Sequence, residues 1–201
     1  KTPEREQLTV EPEQMMEPWA GDLDGMIERK VIRVLTVYSK TFYFADKGVQ
    51  RGGVYDLFRS FEEDLNKKLL RQGSLKQKHV RVRVVFIPVG RAELLPALAA
   101  GKGDIAASNI TITEERRKLV DFSSPVYPNV DELLVSGPDS PAVSSVDELS
   151  GKQVFVRKSS SYYESLTALN QRFAAEQKPA VIIREAPEML EDEDLIEMVN
   201  A

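Results

Sequence analysis

Hydrophobic and polar positions recur along this chain with two different periods. Residues 31–37 (VIRVLTV) and the apolar end of 79–89 (HVRVRVVFIPV) are typical of buried strands, and 105–108 (IAAS) of a short one. Helical spacing over 55–70, followed by a shorter helix over 91–100, completes a β-α-β-α-β order. This order is typical of an α/β domain with a largely parallel sheet. The first helix is predicted to bury one face, made of Leu57, Phe58, Phe61, Leu65 and Leu69.

Between the first strand and the first helix, residues 42–54 are predicted to form a hairpin that turns at Asp46-Lys47-Gly48. The alternation of strands and helices starts again in the last third of the chain. The spacing Ser145 to Glu148 is that of a capping box and predicts a short helix. No strand follows the final helix, so we expect the second α/β unit to be incomplete in this chain. The predicted elements are a strand at 131–137, the capped helix, a strand at 152–158, a helix at 159–177, a strand at 179–185 and a helix at 186–201.

These patterns divide the chain into three predicted segments. Residues 1–24 are polar, acidic and interrupted by proline, which is typical of a flexible tether. The alternative is a tail that packs through Met15, Met16 and Trp19. Residues 25–134 are predicted to form a first lobe and residues 135–201 part of a second.

Composition narrows the classes of function. The 201 residues are 42% hydrophobic and 29% charged, and 27 Lys and Arg against 32 Asp and Glu give a net charge of −5. A nucleic-acid-binding protein would normally carry a basic face instead, so no nucleic-acid partner is expected. There is no cysteine, and His79 is the only histidine, so we expect no metal site, no catalytic triad and no cofactor. No run of about eighteen apolar residues is present to span a membrane.

One short stretch, residues 109–127 (NITITEERRKLVDFSSPVY), carries the candidate chemistry. Thr113 looks like a helix cap, which puts Arg116 at the third helical position, where a cation faces the helix dipole unfavourably by about 0.3–1 kcal/mol. An anion held there would remove the penalty. Thr111 lies on the same side of the extended chain as Thr113, so Thr111 and Arg116 could form a carboxylate clamp. The alternative is a solvated charged face with local ion pairs.

The landmarks around this stretch resemble those of family 3 extracellular solute-binding proteins. That likeness implies the type II periplasmic-binding fold, which is α/β, with two βα lobes joined by a hinge. The matching positions are Pro96-Ala97-Leu98, Gly101, Asp104, Thr111, Thr113, Glu115, Arg116, Asp121-Phe122-Ser123 and Pro125.

The resemblance also implies a binding site. In such proteins the Thr and Arg at the positions of Thr111 and Arg116 grip the α-carboxylate of a bound amino acid, helped by a backbone N–H that here belongs to Asn109. A turn in the second lobe would offer hydroxyls and N–H groups, unless its serines only cap a helix. The loop after the first strand would form a wall against the ligand side chain. The turn residues are Ser159, Ser160 and Ser161, and the wall residues are Tyr38, Ser39 and Phe42.

Residues 18–44 (PWAGDLDGMIERKVIRVLTVYSKTFYF) resemble, more narrowly, the binding modules of membrane-bound lytic transglycosylases. This likeness implies a periplasmic module that senses an amino acid or a peptidoglycan-derived peptide. It would regulate a peptidoglycan-cleaving domain outside this chain, with tethering to the outer membrane through an anchor that this chain does not contain. The alternatives are a stand-alone amino-acid-binding protein of an ABC transporter and an interaction module with a vestigial cleft.

Overall fold

The computed structural model describes residues 17–75 and 80–199. These residues form two compact units: one contains the described residues up to Val89 together with Glu93–Asn109, and the other contains Gly90–Ala92 and the described residues from Ile110 onward. The lobe boundary expected between residues 134 and 135 stays a prediction. Met15, Met16 and His79 lie outside the described residues.

The first unit is built on a three-stranded parallel sheet in the order β4 (Arg83–Pro88), β1 (Val31–Thr36) and β5 (Ile105–Ala106). The central strand is buried along its whole length, because neighbouring strands pair with both of its edges and side chains cover both of its faces. The predicted β-α-β-α-β order is therefore confirmed. The elements are α1 (Leu23–Arg29), β1 (Val31–Thr36), β2 (Phe44–Asp46), β3 (Val49–Arg51), α2 (Gly53–Arg71), β4 (Arg83–Pro88), α3 (Leu94–Ala99) and β5 (Ile105–Ala106). Between β4 and α3 lies a 3₁₀ turn (Arg91–Glu93), whose first two residues belong to the second unit.

The predicted hairpin is present. Strands β2 and β3 pair antiparallel, with Phe44 opposite Arg51 and Asp46 opposite Val49. The two turn residues, Lys47 and Gly48, have φ angles of 49° and 82°, both in the left-handed region that a tight two-residue hairpin turn requires. The turn is therefore where the sequence placed it.

Helix α2 buries a different face from the one predicted. Phe58, Leu65 and Leu69 are buried as expected, but Leu57 is 62% exposed and Phe61 is 37% exposed, so that part of the prediction was wrong. The buried stripe instead includes two polar residues, Glu62 and Asn66. A count of apolar positions alone could not place this face, because polar residues occupy part of it.

Glu62 and Asn66 are buried because they satisfy the backbone of β4. The Arg83 N–H donates to the Lys30 carbonyl, just before β1, so the backbone groups of Val82 and Val84, on either side of Arg83, face the free edge of the sheet. There the Asn66 amide donates to the Val82 carbonyl at 2.9 Å and accepts from its N–H at 2.9 Å. The Glu62 carboxylate accepts from the Val84 N–H at 2.7 Å. Helix α2 thus closes an edge that would otherwise leave buried donors unpaired.

The segment that contains Trp19 is held against the first unit by a buried charge pair. Arg33, fully buried, pairs with Asp104 at 2.8 Å and donates to the carbonyls of Trp19 and Gly101. The Trp19 N–H donates to the Gly101 carbonyl, and the Arg29 guanidinium lies 3.7 Å from the centre of the Trp19 ring. Gly101 has a φ of 70°, and a Cβ there would meet the Trp19 backbone at 2.9 Å. Trp19 therefore packs as part of this unit.

The second unit contains a two-stranded parallel sheet, with β6 and β7 paired from Gln153 opposite Ile182 to Arg157 opposite Ala186. The Asn66 arrangement recurs here, because the Asn170 amide donates to the Val181 carbonyl at 3.0 Å and accepts from its N–H at 2.7 Å. Its elements are α4 (Glu114–Arg117), a 3₁₀ turn (Val146–Leu149), β6 (Gln153–Arg157), α5 (Ser161–Ala175), β7 (Ile182–Ala186) and α6 (Asp192–Val199). Its core consists of Leu149, Val156, Leu166, Phe173 and Val181.

Two predictions for this unit were wrong. Residues 131–137 form no strand, and Leu133 is 84% exposed, because no described strand pairs with this backbone and a strand needs a ladder partner. The capping box predicted at Ser145 is absent: the short helix is present as a 3₁₀ turn at Val146–Leu149, but Ser145 makes no side-chain capping bond. Glu148 instead accepts from the Ser144 hydroxyl at 2.6 Å. Over residues 17–75 and 80–199, no helix is long and apolar enough to cross a membrane.

Candidate functional site

The turn that leads into α4 has the predicted geometry. Thr113 is extended, and its hydroxyl accepts from the Arg116 N–H at 3.3 Å, which confirms the predicted helix cap. Asn109 has a φ of 47°, in the left-handed region that Asn adopts more readily than most residues. A β-branched residue at 109 would be strained there, whereas Asn adopts this conformation at modest cost.

Arg116 is the centre of the candidate site. Its side chain is only 12% exposed, and each of its three nitrogens donates one hydrogen bond. Nη1 bonds to the Thr111 carbonyl at 3.0 Å, Nη2 to the Ser159 carbonyl at 3.0 Å, and Nε to the Glu164 carboxylate at 3.2 Å. A guanidinium has five N–H donors, so two Nη hydrogens have no partner among the described residues. Arg116 is thus fixed in position and keeps donor capacity.

The serine turn, residues 159–161 before α5, lies beside Arg116 and Thr111. The Ser161 hydroxyl donates to the Thr111 hydroxyl at 3.2 Å. The Ser159 backbone N–H and hydroxyl both donate to the Glu188 carboxylate, at 3.0 and 2.5 Å. The structure therefore brings Thr111, Ser159 and Ser161 together with Arg116, all within the second unit.

Ser160 has a different role in this turn. It is buried, its hydroxyl donates to the Arg157 carbonyl at 2.6 Å, and it accepts from the Tyr163 N–H at 3.2 Å. It is therefore the cap of helix α5, as the capping alternative anticipated. Its hydroxyl is used by the fold, and it fixes the turn that presents Ser159 and Ser161.

Two carboxylates at this site escaped the sequence analysis. Glu164 follows Ser161 by three residues, which is capping-box spacing and predicts only a local role. In the structure it reaches Arg116, 48 residues earlier in the chain. Glu188 lies in the loop after β7, in an acidic stretch that the helical pattern assigned to the following helix, and it carries no local signal of its contact with Ser159.

A network of buried charges holds the loop that carries Glu188. Arg157, at the end of β6 and only 2% exposed, pairs with Asp192 at 2.5 Å and with Glu191 at 3.5 Å. Arg91 in turn donates from Nε to both Glu191 oxygens, at 3.0 and 2.9 Å. Buried charges cost free energy unless paired, and here each finds an opposite charge. This network fixes the loop next to the serine turn.

The wall residues occupy the loop after β1 in the first unit. Ser39 and Tyr43 exchange backbone hydrogen bonds at 2.9 and 3.3 Å, and the Ser39 hydroxyl accepts from the Phe42 N–H at 3.2 Å. Tyr38 is 60% exposed, with its ring 5.7 Å from that of Tyr43. Burial, and then the neighbouring tyrosines, raise the pKa of Tyr43. Phe42 packs partly against the core, so Tyr38 is the most accessible of the three predicted residues.

No metal-binding cluster is evident in the parts of the chain that the structure describes. Within residues 17–75 and 80–199, no three carboxylate or histidine side chains converge as a metal ion would need. The chemistry available at the serine turn is that of hydrogen-bond donors around a guanidinium. Such an arrangement suits reversible binding of an anion.

Comparison with known proteins identifies the class. Residues 32–200 match the model of the bacterial extracellular solute-binding proteins, family 3, and the chain belongs to that family. It is similar in structure to an ancestral amino acid-binding protein, described as a precursor of cyclohexadienyl dehydratase, with 29% identity and a TM-score of 0.55. The match covers 88% of this chain and 68% of that one. The predicted type II periplasmic-binding fold is confirmed.

Within this family, the chain is similar to proteins named membrane-bound lytic murein transglycosylase F. The one from Aeromonas hydrophila is 32% identical over 136 residues, which is 67% of this chain and 24% of that protein. The one from Pseudomonas putida is 28% identical over 179 residues, 89% of this chain and 33% of that protein. The predicted likeness to this group is confirmed, and the chain spans a quarter to a third of the length of these relatives.

Proposed function

We propose that the chain is a periplasmic sensor module that binds a small carboxylate ligand, an amino acid or a peptidoglycan-derived peptide. The observation that carries this proposal is the meeting of Arg116, Thr111 and the serine turn. A fixed guanidinium, with two hydrogens that no group in the described part of the chain accepts, lies beside hydroxyl and N–H donors and is suited to grip a carboxylate by two hydrogen bonds.

In this proposal each residue of the second unit has a distinct role. Arg116 supplies the charge and the donor fork, and Thr111 and Ser161 supply hydroxyls that already bond to each other. Ser159 supplies a backbone N–H and a hydroxyl, and Ser160 holds the turn in place through its cap. The contributions expected from Asn109, Tyr38, Ser39 and Phe42, which belong to the first unit, stay predictions.

We further propose that ligand binding regulates a lytic transglycosylase domain that lies outside this chain. The names of the Aeromonas and Pseudomonas relatives support this role, and so does the fact that each is three to four times as long as the segment matched here. An anchor outside this chain would tether the protein to the outer membrane. The resemblance to an amino acid-binding protein supports a second candidate, a stand-alone binding protein of an ABC transporter.

Calorimetry on the natural full-length protein tests the binding site. The probes are the twenty L-amino acids and muropeptides from digested peptidoglycan, with wild type compared against Arg116→Ala. The matched control is Arg117→Ala, because the neighbouring Arg117 is 53% exposed and, among the described residues, pairs with Glu114 alone, at 4.0 Å. We expect Arg116→Ala to weaken binding by about tenfold or more and Arg117→Ala to leave it unchanged. Equal binding by wild type and Arg116→Ala would reject the clamp.

The regulatory part has its own test. Peptidoglycan cleavage by the full-length protein is measured with and without the tightest-binding probe. A change in rate that Arg116→Ala removes would support the sensor. Binding without any peptidoglycan cleavage by the full-length protein would favour the transporter component instead.

A further inference from the structure

Two donor groups of the proposed clamp, Arg116 Nε and Ser159, already bond to carboxylates of the chain itself. Glu164 accepts from Nε of Arg116 at 3.2 Å. Glu188 accepts from both the N–H and the hydroxyl of Ser159. A ligand carboxylate that used Arg116 through Nε, or that used Ser159, would need these same hydrogens. The two glutamates therefore stand where an incoming carboxylate would bind.

Their surroundings allow both side chains to leave. Glu164 is 38% exposed, in the first turn of α5, and Glu188 is partly exposed, in the loop between β7 and α6. Each carboxylate could rotate into water without exposing a core side chain. The Glu164–Arg116 ion pair is partly exposed, and such pairs contribute little free energy, so its exchange for another carboxylate costs little. Glu188 is held by two hydrogen bonds from Ser159, which a ligand carboxylate could accept in its place.

Other carboxylates close to these two positions in the chain do not share this arrangement. Glu185, on β7, pairs with Lys158 at 3.4 Å, and Glu176, just after α5, pairs with Lys178 at 2.6 Å. Neither contacts Arg116 or the serine turn. The occupation of the clamp is thus specific to Glu164 and Glu188.

We propose that Glu164 and Glu188 are internal competitors that close the clamp in the empty protein and must be displaced when a ligand carboxylate binds. This inference rests on the proposed function of the same site. A tethered carboxylate competes at a fixed high effective concentration, so it lowers the apparent affinity for every carboxylate ligand. The module then responds at higher ligand concentrations than it would without the two glutamates.

A two-state exchange follows at the serine turn. In the empty state the Glu188 loop is drawn to Ser159, and in the bound state the ligand replaces it. The same loop contains Glu191, which Arg91 and Arg157 hold through the buried charge network. Displacement of Glu188 would therefore first change the conformation of the loop between β7 and α6.

The test compares Glu164→Gln, Glu188→Gln and the double variant with wild type in the full-length protein. Glutamine keeps the size and a hydrogen-bond acceptor but removes the charge, so the fold should survive. Calorimetry uses the same L-amino acid and muropeptide probes, and the controls are Glu176→Gln and Glu185→Gln. We expect each site variant to tighten binding about fivefold to tenfold, the double variant to tighten it further, and the controls to match wild type.

A second measurement does not require the natural ligand to be known. NMR of ¹⁵N-labelled protein follows the Arg116 Nε–H and the Ser159 amide while acetate, the smallest carboxylate, is added. We expect Glu164→Gln to shift the Arg116 resonance and Glu188→Gln to shift that of Ser159 before any acetate is present. Acetate should then perturb both signals at lower concentration than in wild type.

The results separate this inference from the proposed function. If wild type binds a probe through Arg116 but the glutamine variants bind equally or more weakly, the displacement idea is overturned and the clamp stands. If the glutamine variants bind more tightly than wild type, or if only they bind, the displacement is supported. If no variant binds any probe, both proposals fail.

Discussion

The Arg116 guanidinium donates a 3.0 Å hydrogen bond to the carbonyl oxygen of Ser159, forty-three residues further along the chain. This bond joins the short helix after Thr113 to the serine turn before α5. Because a guanidinium is planar and carries several fixed donors, one bond of this kind also orients the remaining hydrogens. The relationship between these two residues is therefore the basis of the proposed site.

Replacing Arg116 by lysine should cost stability as well as binding. An ammonium cannot reproduce three bonds from three nitrogens to Thr111, Ser159 and Glu164. We expect Arg116→Lys to lower the free energy of unfolding by about 1–2 kcal/mol in urea denaturation, since about two hydrogen bonds are lost. Arg117→Lys is the control and should change it by less than about 0.5 kcal/mol. Equal stability of the two variants would contradict the proposed anchoring.

Asn66 and Asn170 each bond to the residue just before a strand, and replacing either should lower the stability of the protein. In Asn66→Ala the N–H and carbonyl of Val82 lose their partner in a buried place, and in Asn170→Ala those of Val181 do. We expect each to lower the free energy of unfolding by about 2–4 kcal/mol, the larger value for the more buried Asn66. Lys67→Ala, one residue from Asn66 and exposed, is the control. Thermal or urea denaturation would refute the account if Asn66→Ala were as stable as this control.

Replacing Thr36, unlike replacing the two asparagines, is expected to leave the stability of the protein unchanged or to raise it. It is fully buried at the end of β1, and its hydroxyl has no hydrogen-bond partner within the described part of the chain. Valine has the same shape without the buried polar group, so Thr36→Val should leave the protein as stable or raise the free energy of unfolding by about 1 kcal/mol. A clear loss of stability in denaturation curves would mean that the hydroxyl has a partner.

The exposed charge cluster around Asp147 predicts a dependence of stability on acid pH. A hydrogen bond from Lys178, and then the Arg172 charge, lower the pKa of Asp147 below its ordinary value of 3.8. Because the folded-state pKa is the lower one, the stabilisation is present above the ordinary value and is lost as pH falls through the folded-state pKa. Asp147→Asn should flatten this part of a pH–stability profile measured by thermal denaturation. Glu132→Gln, also exposed, serves as the control.

The sequence predicted the elements well where the signal was local. The Thr113 cap, the hairpin turn at Lys47-Gly48 and the strand–helix order all depend on residues close together in the chain, and all were found. The buried face of α2 was misjudged because Glu62 and Asn66 bond to β4, which lies 16 to 22 residues further along the chain.

Long-range partners limited the prediction of the site in the same way. Thr111 and Arg116 were predicted from their spacing and the serines from the family resemblance, and the structure brings them together. Glu164 and Glu188 were missed because each acts on a group 29 to 48 residues away, and nothing beside them in sequence marks that contact. The expected strand at 131–137 failed for a related reason, since strand formation depends on a partner and not on β-branched residues alone.

The most direct test of the central claim compares a ligand with and without its carboxylate. In the full-length protein, calorimetry would measure the tightest-binding L-amino acid and its carboxamide, in wild type and in Arg116→Ala. We predict that wild type prefers the carboxylate form by about tenfold or more and that Arg116→Ala loses most of this preference, because the guanidinium supplies it. An undiminished preference in Arg116→Ala would contradict the claim that Arg116 binds the ligand carboxylate.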